Sequence, residues 1–154
     1  MTARGFTLIE LMVSLAVMGI LAAITLPVME RVVQRERERD LRQALGQIRA
    51  ALDAYKRAAD EGRLAHTPPP SGYPARLEVL AEGVREAKGG GMIYFLRRIP
   101  RDPFDPDAHT PAAQTWGLRA YASSAQTPRP GADVYDVYSR APGTGLNGVP
   151  YRQW

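Results

Sequence analysis

The chain has 154 residues, enough for one domain or one domain with an appendage. It has no cysteine, which excludes disulfides, thiolate metal sites and cysteine nucleophiles in one step. The formal net charge is +4, but the arginines are scattered among acids and form no basic stripe, so no nucleic-acid partner is expected.

From Phe6 to Met29 the residues are apolar except Thr7, Glu10, Ser14, Gly19, Thr25 and Pro27. That length meets the roughly 20 apolar residues a spanning helix needs. It exceeds a secretory h-region, and no small-residue cleavage site follows it. The stretch in front is short, Met1 to Gly5, with a single charge at Arg4. Glu10 stands out, because a carboxylate in hydrocarbon costs a few kcal/mol unless it is partnered. It could snorkel to the interface or sit protonated. The functional reading gives it a partner from another subunit, such as a free α-amine on a neighbouring chain.

Gly5-Phe6-Thr7-Leu8-Ile9-Glu10-Leu11-Met12-Val13 resembles the class III signal of type IV pilins and type II secretion pseudopilins. The resemblance implies a leader of residues 1–5, removed by a prepilin peptidase between Gly5 and Phe6. It implies an N-methylated Phe6 and a Glu10 that pairs with a neighbouring N-terminus during assembly. The partners implied are a homo-oligomeric helical fibre, other pseudopilins, the peptidase and an inner-membrane assembly platform. The C-terminal domain would lie in the periplasm of a single-pass inner-membrane protein. One feature points the other way: Arg31, Arg35, Arg37, Arg39 and Arg42 follow the apolar run and only Arg4 precedes it, the reverse of the positive-inside rule.

Beyond the apolar run, Leu41, Leu45, Ile48, Leu52 and Tyr55 fall four, three, four and three apart, with Ala44, Ala51 and Ala58 widening the stripe. This predicts an amphipathic continuation of the helix over 30–61. A helix from Phe6 to about Ala59 would be roughly 80 Å long. Pro27 removes one backbone bond and predicts a kink, and Gly19 adds a weak point. The run Arg35-Glu36-Arg37-Glu38-Arg39-Asp40 reads as a solvated helix face, with inter-subunit contacts as the alternative.

The helix is expected to stop after Glu61-Gly62, and residues 62–154 read as a small, loop-rich β-sheet domain. His66 to Gly72 is a loop, followed by a short helical turn with Leu77, Val79 and Leu80. Gly89-Gly90-Gly91 lacks the Lys and Ser or Thr of a phosphate loop and reads as a flexible turn. Met92–Leu96, Trp116–Ser123 and Ala132–Ser139 have strand-like content, and Asp133 to Tyr138 is read as alternating with period two. Arg97 to Phe104 (two basic residues, an apolar residue, proline, then Asp-Pro-aromatic) resembles a segment of major type II pseudopilins, and Gly72-Tyr73-Pro74 resembles their earlier Tyr-Pro element. The fold expected is therefore α+β and pilin-like, with a long N-terminal helix packed on a small antiparallel sheet.

The major pseudopilins also carry a calcium loop after the last strand, closed by neighbouring aspartates. Here the corresponding segment, Ser139 to Gly148, contains no acid. The weak candidates are Asp133, Asp136, Ser139 and Asn147, too little charge for calcium, so no metal or other cofactor is expected. Val149, Tyr151 and Trp154 could hold the loop by packing instead. Asp102, Asp105 and Asp107 are interrupted by Pro103 and Pro106 and read as Asp-Pro turns. His66 and His109 read as surface histidines. No catalytic motif appears, so the chain is not expected to be an enzyme. The function implied is a structural subunit of a type II secretion pseudopilus. The alternatives are a type IV pilin, a DNA-uptake pseudopilin or, from another class, a membrane-anchored enzyme.

Overall fold

The computed structural model describes residues 7–154, apart from the side chains of residues 23–28. Helix α1 runs over Leu8–Asp60 and continues through position 27. The kink expected at Pro27 rests on a side chain outside the described residues. The chain divides into two compact units, Met1–Glu36 and Arg37–Trp154.

In the first unit the described large apolar side chains of the helix are uncovered. Leu8 is 81% exposed and Ile9 71%, and Leu11, Met12, Val13, Leu15 and Val17 are exposed with them. At about 100° per residue these positions point to every side of the helix. Among the described residues no helix is long and apolar enough to cross a membrane. The span expected at Phe6–Met29 includes Phe6 and the side chains of 23–28, which lie outside that description.

The second unit packs around the stripe read from the sequence. Leu41, Leu45, Ile48, Leu52 and Tyr55 are buried on α1, as are Ala44, Ala51 and Ala58. Against them lie Leu77, Leu80, Trp116, Val134, Val137 and Tyr151. The helix ends as Gly62 turns left-handed at φ 65°: its N–H donates to Ala59 O at 3.0 Å and the Arg63 N–H to Ala58 O at 2.9 Å. That pair of bonds is a Schellman closure, and glycine takes the left-handed position without strain.

The remaining elements are short. Helix α2 is Val79–Glu82, the turn expected around Leu77 to Leu80. Strands β1 (Val84–Arg85) and β2 (Met92–Ile93) form an antiparallel hairpin with Gly89-Gly90-Gly91 at its tip. Strands β3 (Trp116–Arg119) and β4 (Asp136–Ser139) pair antiparallel, Trp116 opposite Ser139 and Arg119 opposite Asp136. Among the described residues the sheet is thus two separate two-stranded pieces. The period-two pattern expected over Asp133 to Tyr138 breaks, since Val134, Val137 and Ser139 are the buried members together with Asp133. The cause is local: the Tyr135 N–H donates to Arg119 O at 2.9 Å while Asp136 is the register partner of Arg119. Two residues of one strand oppose one of the other, a β-bulge, which shifts the side chains on either side of it out of simple alternation.

Candidate assembly site

The head of α1 is built from Thr7-Leu8-Ile9-Glu10. The Glu10 N–H donates to Thr7 Oγ1 at 3.3 Å, and the Thr7 N–H donates to Glu10 Oε2 at 3.5 Å. This reciprocal arrangement is a capping box, which satisfies two of the donors that a helix start leaves unpaired. A carboxylate in the first turn also suits the positive end of the helix dipole. Glu10 is therefore held at the helix start, exposed, among uncovered apolar side chains. The T-x-x-E spacing of Thr7 and Glu10 is the signal by which the sequence itself encodes this cap. Gly5 and Phe6, expected at the cleavage and methylation site, lie outside the described residues.

The other end of interest is the segment after β4. In the run Arg35 to Asp40 five residues are exposed, but Glu38 is only 2% exposed. This corrects the expectation of a wholly solvated face. Glu38 lies three residues before Leu41 and seven before Leu45, so it prolongs the buried stripe by one turn. Its Oε1 accepts from the Leu146 N–H at 2.8 Å and from the Tyr151 hydroxyl at 3.1 Å. Arg42, one turn on, lies 3.5 Å from Glu38 Oε2 and stacks 4.3 Å above the Trp154 ring centroid. Arg49 Nε donates to Asp136 Oδ1 at 2.8 Å, and its Nη2 donates to Val137 O at 3.3 Å and to Trp154 O at 2.6 Å. Packing holds the same segment, as expected for Tyr151 and Trp154: their rings meet at 5.2 Å, and Tyr151 packs on Phe104 at 4.4 Å.

The aspartates of Arg97 to Asp107 work as turn acceptors. Asp102, buried, takes the Phe104 N–H on Oδ1 at 2.8 Å and the Ser139 hydroxyl on Oδ2 at 2.5 Å. Asp105 accepts the Asp107 N–H, and Asp107 accepts the His109 N–H and the Thr110 hydroxyl. The His109 N–H, then the Thr110 hydroxyl, hold the Asp107 carboxyl below its ordinary range. The Trp116 indole N–H donates to Pro100 O at 2.8 Å, so this segment is stitched to both β3 and β4. His66 and His109 are both exposed, and His66 Nε2 meets the hydroxyl of buried Tyr55 at 2.9 Å. Burial pushes the Tyr55 phenol above its ordinary value, so the phenol stays protonated.

Residues 1–26 match the prokaryotic N-terminal methylation motif. The type II secretion system core protein G of Klebsiella michiganensis is 30% identical over 137 residues, covering 84% of this chain and 88% of that protein. The chain belongs to the type II secretion system core protein G family. The core protein G of Pseudomonas aeruginosa is 32% identical over 109 residues, 65% of this chain and 67% of that one. A type IV major fimbrial protein, FimA of Dichelobacter nodosus, is 38% identical over 60 residues, only 39% of this chain and 38% of that protein. No solved structure gives a significant match. The pilin-like α+β fold, a long N-terminal helix with small antiparallel pairs, agrees with this membership.

Because the family resemblance implies a calcium loop, the donors at that place matter. Asp133 Oδ1 accepts the Tyr121 N–H at 2.8 Å. Asp136 is held between two guanidinium groups, Arg49 on Oδ1 and Arg119 on Oδ2 at 3.0 Å. The Ser139 hydroxyl is spent on Asp102, and Asn147 Oδ1 accepts the Val149 N–H at 3.1 Å. Among the described residues no three His, Asp or Glu side chains are placed to hold one ion. The donor set does not fit calcium, which takes about six to eight oxygens with carboxylates among them.

Proposed function

We propose that the chain is a structural, non-catalytic subunit of a type II secretion pseudopilus. The observation that carries this reading is the uncovered apolar helix headed by Glu10, in a chain whose likeness to core protein G covers 84% of its length. Apolar side chains on every side of a helix need lipid or other apolar helices around them. The inner membrane supplies the first surrounding and the fibre core the second.

In this mechanism a prepilin peptidase removes residues 1–5 and Phe6 becomes the methylated first residue. Residues 6–29 hold the subunit in the inner membrane as a single pass, with residues 37–154 on the periplasmic side. The assembly platform adds subunits, with other pseudopilins, through heterologous contacts that do not close, which makes a helical fibre. Glu10 sets the register of each addition by pairing with the neighbouring Phe6 amine, a pairing that gains strength in an apolar surrounding. The likeness to FimA is confined to 39% of the chain, whereas the likeness to core protein G extends well beyond it, which favours secretion over a pilus.

The test is a strain lacking the chain. Quantitative proteomics of its culture supernatant is expected to show loss of a set of folded exoproteins, restored by the wild-type chain and not by Glu10→Val. An unchanged supernatant would refute the secretion role. Mass spectrometry of the mature chain is expected to begin at a methylated Phe6, and an intact Met1 in a strain with active peptidase would refute the processing.

A further inference from the structure

The segment after β4 is fastened by charges of both signs, all supplied by the chain. Two N–H or O–H donors of the loop, the Leu146 amide and the Tyr151 hydroxyl, converge on the Glu38 carboxylate. On the other side a single guanidinium, Arg49, gathers the Asp136 carboxylate, the Val137 carbonyl and the Trp154 main-chain oxygen. A carboxylate and main-chain oxygens drawn from two separate segments onto one positive centre is the kind of donor set that a calcium ion collects. Here the positive centre is covalently part of α1. Its planar fork reaches two segments at once, which an ammonium group on the same stem would not do equally well.

We propose that Arg49, with Glu38 as its anionic counterpart on α1, closes the loop in place of a metal ion, so that the domain neither takes up calcium nor depends on it. The electrostatics follow from the contacts. An ion approaching Asp136 meets Arg49 and Arg119 already on its two oxygens, so it would have to displace both or sit beside two like charges. Arg42 stacked on Trp154, and the Trp154 indole N–H donating to Val149 O at 3.1 Å, complete the clamp. Gly145 lies directly under the Trp154 ring, where a Cβ would collide with it, so the turn fits its lid only as glycine.

The experiment uses the full chain in detergent micelles, with calcium chloride as the only probe. The thermal midpoint is expected to be the same in millimolar calcium and in EGTA, and calorimetric titration is expected to show no binding. Arg49→Met is expected to lower the midpoint by about 3 °C or more and to speed amide exchange of residues 144–154 by about tenfold or more, equally with and without calcium. Arg49→Lys should recover part of that loss. If Arg49→Met does not fold, Glu38→Gln reads the same exchange. A midpoint raised by calcium, stoichiometric calcium uptake, or loop exchange unmoved in both variants would each overturn the proposal. None of these readouts depends on secretion, so their failure and the failure of the secretion role are separable.

Discussion

Ser139 and Asp102 show how much one buried hydroxyl can decide. The bond between them ties the last strand to the Arg97–Phe104 segment, and both groups are almost wholly out of water. Removing the hydroxyl leaves a buried carboxylate oxygen short of a donor, and such a group carries its desolvation cost uncompensated. Ser139→Ala is expected to cost about 1–3 kcal/mol, read from the urea midpoint of the full chain. Asp107 supplies a pH prediction. Its folded pKa is lowered, chiefly by the His109 N–H, so its contribution is complete above the ordinary carboxylate range and is lost as pH falls through the lowered value. A side-chain titration followed by NMR should place its midpoint below the ordinary carboxylate value, and His109→Pro, which removes that N–H, should move it upward.

At the scale of elements, the buried stripe of α1 is the organising surface. Ile48 is fully buried at its centre, and Ile48→Ala is expected to cost about 2–5 kcal/mol by denaturant titration, since the surrounding side chains relax only partly into the cavity. The stripe was legible because its spacing alone specifies one face of a helix. The helix end at Gly62 was legible for a similar reason, the left-handed residue being a local need. Gly62→Ala is expected to cost about 1 kcal/mol with the fold kept. The strands were less legible. β1, two residues long, has no periodicity to read, and it exists because Met92 and Ile93 come back to pair with it. The break just ahead of β4 depends on Arg119, a residue on another strand, and no window of local sequence contains both.

For the whole molecule, the two roles of the helix head can be separated. Thr7 and Glu10 cap each other within one chain, whereas the proposed assembly has Glu10 act between chains. Thr7→Ala is expected to weaken the helix start by about 1 kcal/mol and still to permit fibres visible by electron microscopy. Glu10→Val should leave the subunit inserted and processed but unassembled. Equal loss of fibres in the two variants would mean that Glu10 serves only as a cap.

What the sequence by itself determined is everything set by short-range order: the apolar run and its acid, the amphipathic repeat, the helix stop, and the Asp-Pro turns. Each of these follows from the period of a helix or the geometry of one turn, which neighbouring residues state in full. The tertiary structure alone decided which charged groups hold the segment after β4. Glu38 sits 108 residues before its Leu146 partner, and Arg49 sits 105 before Trp154. In the sequence Glu38 belongs to a run of mixed charges and Arg49 is one arginine among many. Only when α1 and β4 lie side by side do the loop's donors and acceptors meet them, because a charge contact at such separation is fixed by packing and not by spacing along the chain.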